Sequence, residues 1–407
     1  MKIKRSLINT IQQFCLESKK MAFISGPRQV GKTTLSNQLS EGYDQKKYIT
    51  WDDQRIRKQW ASNPSHFTNE FNKKEKSVII VDEIHKSKLW KTQLKGLWDQ
   101  RIQNLDIIVT GSAQLNVLKK AGDSLVGRFY HFNLHPLTVG ELLGKTVEPE
   151  QLIEIIKNND YSKPDKKFSE TYEKLKKMSG FPEPFLMSSS REFNLWQKTR
   201  LDRIIREDLR DLSRLPDLSA IEVLASLLPE KVGSALSIEN LRQELETSYN
   251  TIKRWLLSLE AVYYHYTIRP YSNKIANSLK KEPKIYLYDY TEIQDEGALY
   301  ENIIANHLYK SCHYWTDAGY GSFELHYVRT KQQIEIDFLI TCNKKPWLAI
   351  ESKKSFKPMS NAVINLHKKL NCPLVILTTE DVKPTIDVVD KSVIAHVPIA
   401  YFLQLIC

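Results

Sequence analysis

The sequence predicts an α/β multidomain chain led by a parallel sheet with helices on both faces. Three observations predict it. Met21-Ala22-Phe23-Ile24 reads as a short buried strand, and it runs straight into a glycine-punctuated turn that opens a helix, Gly26 to Thr34. Ser77-Val78-Ile79-Ile80-Val81 is an unbroken apolar run of the kind buried on both faces of a parallel sheet, and two acids follow it, Asp82 and Glu83. Beyond residue 290 the pattern changes to strands of alternating polarity that carry Asp337 and Glu351-Ser352-Lys353. A chain of 407 residues exceeds one average domain.

The turn matches G-x-x-x-x-G-K-[ST], the phosphate-binding loop. Gly26 and Gly31 let the backbone of Gly26-Pro27-Arg28-Gln29-Val30-Gly31 bend, so that the loop's N–H groups can point inward at phosphate oxygens. Lys32 adds a cation for the β- and γ-phosphates, Thr33 a hydroxyl for Mg²⁺, and Thr34 continues the helix whose N-terminus favours an anion. An amphipathic helix over residues 5–18 precedes the strand, with Leu7, Ile8, Ile11, Phe14 and Leu16 as its apolar residues. A second strand is expected at Lys47-Tyr48-Ile49-Thr50. Ligands in open α/β sheets bind at the carboxyl ends of strands. That places Asp82 to hold Mg²⁺ through water and Glu83 to orient or deprotonate the attacking water. The next strand, Asp106 to Thr110, ends in Gly111-Ser112, where Ser112 and Thr110 both qualify to bond the γ-phosphate or the water. Arg128 follows, readable as a charge stabiliser for phosphoryl transfer or as a solvated arginine.

Composition narrows the class. A formal net charge of +11 suggests a polyanionic partner, with nucleic acid first, or serves solubility alone. No run of about 18 apolar residues occurs, so no membrane span is expected. Five scattered cysteines without a C-x-x-C pair point to a reducing, cytoplasmic setting and away from a structural zinc site.

Residues 145–175 are polar and charged, as in a linker or small lid. Residues 192–213 read as an amphipathic helix whose Asp202, Arg203, Arg206, Glu207, Asp208, Arg210 and Asp211 form a solvated, salt-bridged face. From about 231 the order is helix, tight turn, helix from Tyr249 to Glu260, then two strands, as in a winged helix-turn-helix. In a DNA-binding version Thr251, Lys253 and Arg254 face a groove, and Lys280 and Lys281 ride on the wing; a protein–protein adaptor is the other reading. In the last 115 or so residues, Glu301 lies toward the buried side of a helix, Asp337 sits between apolar Ile336 and Phe338, and Glu351 and Lys353 share a strand face.

Two resemblances follow from these residues. The set Gly-Pro-Arg-Gln-Val-Gly-Lys-Thr, Val-Ile-Ile-Val-Asp-Glu-Ile-His, Thr-Gly-Ser-Ala and Ser-Leu-Val-Gly-Arg resembles a family of bacterial and archaeal AAA-type ATPases with a C-terminal domain of unknown function. Ser179-Gly180-Phe181-Pro182-Glu183, Tyr288-Asp289 and Glu335-Ile336-Asp337-Phe338 continue the resemblance over nearly the whole chain. Ser179 departs from the family's usual glycine, and Tyr290-Thr291 from its usual Thr-Gly. The acids and lysine of the C-terminal region resemble the PD-(D/E)XK, restriction-endonuclease-like fold. Together these imply an AAA-type P-loop domain at 1–144, a helical lid or linker at 145–230, a winged helix at 231–290 and a nuclease-like domain at 291–407. They imply ATP and Mg²⁺ as ligands, a homo-oligomer, and DNA as partner. At the nuclease-like site Asp337 and Glu351 would hold Mg²⁺ or Mn²⁺, with Glu301 beside them and Lys353 steering water. A non-cutting interaction platform in a nucleotide-gated switch is the alternative.

Overall fold

The computed structural model describes residues 3–63, 66–87, 89–101, 103–111, 125–209, 217–272, 282–355, 360–380, 382–389 and 392–407. They fall into two compact units. The first comprises residues 1–136, 207–214 and 261–263, and the second 137–206, 215–260 and 264–407.

The first unit is built on five parallel strands: β1 (Met21–Ser25), β2 (Gln45–Thr50), β3 (Ser77–Asp82), β4 (Leu105–Gly111) and β5 (Phe129–Asn133). Their order is β2-β3-β4-β1-β5. Every residue of β3 and β4 is buried, which is why both read as continuous apolar runs. Alternate residues Phe23, Ile79, Val81, Ile107 and Val109 join Trp60, Leu94 and Leu97 in one apolar cluster. The Phe23 ring stands edge-on to Phe129 at 4.5 Å. The helix expected over 5–18 forms as Leu7–Thr10 followed by a π-helical turn, Ile11–Leu16. The wider turn brings Cys15 and Leu16 inward and leaves Phe14 exposed.

The second unit carries a mixed eight-stranded sheet. Its strands are β6 (His265–Pro270), β7 (Lys284–Leu287), β8 (Phe323–Arg329), β9 (Glu335–Cys342), β10 (Lys345–Lys353), β11 (Leu374–Thr378), β12 (Thr385–Val389) and β13 (Ser392–Pro398). The order is β12-β13-β11-β10-β9-β8-β6-β7. The polar stretch expected as linker or lid holds two helices, Pro149–Asn158 and Lys166–Met178. Helices Ile238–Glu244 and Tyr249–Ala261 appear as expected, the first capped by the Ser237 hydroxyl accepting from the Asn240 N–H. The two strands after them correct the expectation of a wing. β6 and β7 pair antiparallel, yet β6 also pairs with β8, and β7 is buried throughout. The pair is the edge of the large sheet.

Helix Glu296–Asp317 covers that edge. Its Asn302 side chain, fully buried, accepts from the Leu287 N–H at 2.8 Å and donates to the Leu287 carbonyl at 2.9 Å. The amide thus supplies the edge strand with both hydrogen bonds of a missing neighbour. Replacing Asn302 by leucine leaves both backbone groups buried and unpaired. The expected cost is about 2–6 kcal/mol, at about 1–3 kcal/mol for each stranded group, read as a fall in urea midpoint without change of slope.

Candidate active sites

The phosphate loop joins β1 to helix Lys32–Leu39, as the motif requires. Gly26 is there for close approach: a Cβ on it would lie 2.2 Å from the Leu134 carbonyl oxygen. Gly31 has φ 98°, a left-handed conformation that glycine adopts without strain. Gln29 also has positive φ, at 62°. The loop curls around the buried Lys32, whose ammonium donates to the carbonyls of Gly26 at 2.9 Å and Pro27 at 2.8 Å. Burial lowers the Lys32 pKa, with Glu83 and Asp82 pulling it back up.

Asp82 and Glu83 stand at the carboxyl end of β3, beside Thr110 of β4 through the parallel register. Asp82 accepts from the hydroxyls of Thr110 and Tyr48. Tyr48 also hydrogen-bonds with Thr33. The Thr33 hydroxyl and the Asp82 carboxylate therefore both adjoin the Tyr48 phenol. This hard-oxygen pair suits Mg²⁺, which keeps most of its waters and takes the rest of its shell from nucleotide phosphates. Thr110, one of two hydroxyls weighed for the γ-phosphate, is committed to Asp82. Ser112, the other, lies outside the described residues.

Glu83 adopts a left-handed backbone, φ 56° and ψ 25°, unusual for a residue with a side chain. Burial pushes its carboxyl up to about 7, opposed by Lys32 and reinforced by Asp82. A carboxylate poised there accepts a proton near neutrality. Arg128 lies elsewhere. It directly precedes β5, whose Phe129 is level with Met21 at the start of β1, so it is at the amino end of the sheet, opposite its own phosphate loop. Its Nε donates to Asp99 at 3.2 Å.

Other residues of this unit escaped the sequence reading. Arg5 is buried and donates from Nη1 to the Val30 carbonyl at 2.9 Å and from Nη2 to that of His135. Ser25 is hydrogen-bonded to His131 Nε2 at 2.8 Å. Glu207 and Asp208, expected on a solvated face, both pair with Arg28 of the phosphate loop. Arg206 keeps the expected surface pairing, with Asp202.

In the second unit, Glu301, Asp337, Glu351 and Lys353 do meet. Glu301 and Asp337 line a cavity of about 210 Å³ together with Tyr300, Ser352, Lys353 and Lys354. Asp337 on β9 and Glu351 on β10 are neighbours by register, and the Asp337 N–H donates to Glu351 Oε2 at 3.1 Å. Asp337 Oδ2 accepts from the Ser352 N–H at 2.8 Å and its hydroxyl at 3.0 Å. Lys353 donates to Glu351 Oε1 at 2.6 Å. Burial, then Asp337, push the Glu351 carboxyl up to about 7. Burial, then Asp337, also raise Glu301.

A fifth residue changes the site. Lys284, at the start of β7, is 3% exposed, and its ammonium lies 2.6 Å from Glu335, 3.2 Å from Glu301 and 3.9 Å from Asp337. Burial works against its charge, yet Glu301, Asp337 and Glu335 outweigh it and hold its pKa above the ordinary lysine value. A divalent cation needs carboxylate oxygens facing an open centre. Here both Glu351 oxygens and one Asp337 oxygen accept protein donors, and an ammonium stands among the others. Among the described residues, no three His, Cys, Asp or Glu side chains are arranged to hold a metal ion. Mg²⁺ or Mn²⁺ at Asp337 and Glu351 does not fit this arrangement. Lys284 is 17 residues from Glu301 and 53 from Asp337 in the chain, and only the sheet topology brings them together.

The cations assigned to nucleic acid divide. Lys253 and Arg254 are exposed on helix Tyr249–Ala261. Lys280 and Lys281 lie outside the described residues.

Comparison with known proteins places this geometry. Residues 18–143 match the family described as AAA domain, and residues 169–291 and 296–399 match two domains of unknown function, DUF8612 and DUF4143. An uncharacterized protein of Methanocaldococcus jannaschii is 27% identical over 334 residues, which is 73% of this chain and 69% of that protein. One from Mycobacterium tuberculosis is 22% identical over 376 residues, 86% of this chain and 75% of that protein. Among solved structures, a Walker-type ATPase of Pyrococcus abyssi is 14% identical, with a TM-score of 0.44 over 73% of this chain and 96% of that one. The Orc1 protein of Aeropyrum pernix in complex with DNA is 11% identical, with a TM-score of 0.34 over 75% of this chain and 94% of that one. With its loop curled around Lys32 and Asp82-Glu83 at the end of β3, across β4 from the loop strand, the chain carries an AAA-type P-loop ATPase domain.

Proposed function

We propose that the protein hydrolyses ATP and acts as a nucleotide-gated regulator on nucleic acid, its C-terminal unit a platform that keeps a nuclease-like constellation without cutting. The observation that carries hydrolysis is the pairing of a phosphate loop curled around Lys32 with Asp82 and Glu83 at the carboxyl end of β3. Lys32 would exchange its two carbonyl partners for phosphate oxygens, Thr33 and Asp82 would hold Mg²⁺, and the backbone N–H groups of the loop would bind the phosphates. Mg²⁺, when bound, neutralises phosphate charge. Glu83 takes the proton of the attacking water.

A second reading, phosphodiester cleavage, is favoured by one observation, the convergence of Glu301, Asp337, Glu351 and Lys353. The ammonium of Lys284 inside the cluster favours the platform. A cytoplasmic setting remains part of the proposal, supported by five scattered cysteines without a C-x-x-C pair. Among the described residues no helix is long and apolar enough to cross a membrane.

Lys32→Ala should weaken ATP binding. Glu83→Gln should bind ATP as well as wild type while losing about 10²–10⁴ in turnover, because an amide accepts no proton. Since an acid with raised pKa is protonated, and useless as a base, below that pKa, wild-type kcat/KM should climb with pH through about 7 and lose that limb in Glu83→Gln. Wild-type turnover in Glu83→Gln would sink the assignment.

Arg128, being remote from its own phosphate loop, would serve a neighbouring copy in a homo-oligomer. Arg128→Ala should lose about 10³-fold or more in turnover. Mixing it with Lys32→Ala should restore part of that activity; mixed oligomers without rescue exclude action between copies.

Contact with DNA through Lys253 and Arg254 predicts an affinity that falls steeply with salt. Replacing both by alanine should flatten the log–log slope by about 2. The same DNA, incubated with Mn²⁺ and ATP, should stay whole. Cleavage lost in Asp337→Ala would establish the second reading.

A further inference from the structure

We infer that Lys284 is the resident cation of the C-terminal acid cluster: its tethered ammonium holds the place among Glu301, Glu335 and Asp337 that a divalent metal would otherwise take, so the cluster binds no metal. The inference deepens the non-cutting reading of this unit and rests on it.

Position makes the case. Three carboxylates lie within 3.9 Å of one ammonium, with Glu351 beside Asp337, and like charges gathered so closely repel strongly unless a cation stands between them. Lys284 is that cation, and it arrives from the backbone. β7 is held by β6 on one side, with Lys284 paired to Ile268, and by Ala235 at an isolated bridge. The stem of Lys284 is therefore fixed, and its ammonium is 5.7 Å from the centre of the Tyr327 ring. Glu301 is fixed as well. It accepts from the Tyr286 hydroxyl at 2.7 Å, and its carboxylate lies against Gly233, where an added Cβ would come within 3.0 Å of Oε2. Gly233 has φ 75°, a second reason for glycine there. Glu335 takes both Lys284 and, at 3.6 Å, Arg329. Each acid has a protein donor, and the ammonium lies at the point where three of them converge.

An ammonium and a metal ion cannot share that point. An ammonium donates three hydrogen bonds in fixed directions, whereas Mn²⁺ or Mg²⁺ demands oxygen at about 2.0–2.2 Å and expels a neighbouring cation. Lys353 does not substitute for Lys284, because its ammonium is bound to Glu351 on the solvent side of the cluster and its side chain is 45% exposed.

The test titrates nucleotide-free protein with MnCl₂ and reads free Mn²⁺ by electron paramagnetic resonance. Wild type and Asp337→Asn should give the same titration, with no site at the cluster. Lys284→Met keeps the stem's volume and removes the charge. It should gain one equivalent of Mn²⁺, bound at least about tenfold tighter than by wild type, and the double variant Lys284→Met/Asp337→Asn should lose it. A wild-type site that Asp337→Asn abolishes overturns the inference. So does a folded Lys284→Met protein that gains none. If Lys284→Met does not fold, the comparison of wild type with Asp337→Asn decides alone. Mn²⁺ binding by wild type that Asp337→Asn abolishes, with DNA left whole, overturns this inference and leaves the non-cutting reading standing. DNA cleavage in EDTA does the reverse.

Discussion

The first unit depends on a buried ammonium held by neutral oxygens. Lys32 is enclosed by its own loop, and its partners are the carbonyls of Gly26 and Pro27. A charge without a full counter-charge in a dry place raises the energy of the resting state, and the lowered Lys32 pKa records it. The surrounding groups answer to that charge. Glu83 and Asp82 face it from the end of β3. Arg28, four residues earlier, is drawn off by Glu207 and Asp208, so the loop does not hold two cations unopposed. Glu83 is raised because burial outweighs the pull of Lys32, which leaves a base whose proton affinity depends on what else occupies the loop.

Much of this unit was legible because its signals are local. The loop motif lies within ten residues, and β3 and β4 announce themselves by uninterrupted burial. The parts that were not legible are side chains meeting across the sheet. Tyr48 looks like one more strand residue until β2 pairs beside β3 and its hydroxyl reaches Asp82. Arg5 looks like a solvated terminal cation until it binds the Val30 carbonyl, 25 residues on. Glu207 and Asp208 have the alternating charge of a solvated helix face, and charge pattern alone carries no information about a partner nearly 180 residues away.

The C-terminal region shows the same division. Alternation correctly put Glu351 and Lys353 on one face and Asp337 among buried neighbours, and helical spacing turned Glu301 toward them. These are consequences of periods of 2.0 and 3.6 residues. Topology was another matter. A helix, a helix and two strands fit a winged helix equally well whether the strands project into solvent or join a larger sheet. The choice is made by the pairing of Arg269 with His326 and Pro270 with Tyr327, contacts between segments more than fifty residues apart. Once β6 joins β8, β7 becomes the sheet's edge, and its first residue lands in the acid cluster.

The two buried lysines then behave oppositely for one reason, the charge of their partners. Lys32 is held by carbonyl oxygens, which are neutral and surrender it to any ligand bringing negative charge. Lys284 is held by carboxylates, which are charged and bind it more tightly as water is excluded. The first lysine is poised to exchange partners with nucleotide phosphates. The second is locked, because removing it would leave Glu301, Glu335 and Asp337 facing one another without a counter-charge. A phosphate loop can cycle only with a cation of the first kind. An acid cluster that keeps its shape without a metal requires one of the second. The chain contains both, each on its own unit, and the difference is set by which backbone or side-chain oxygens the fold brings to each ammonium.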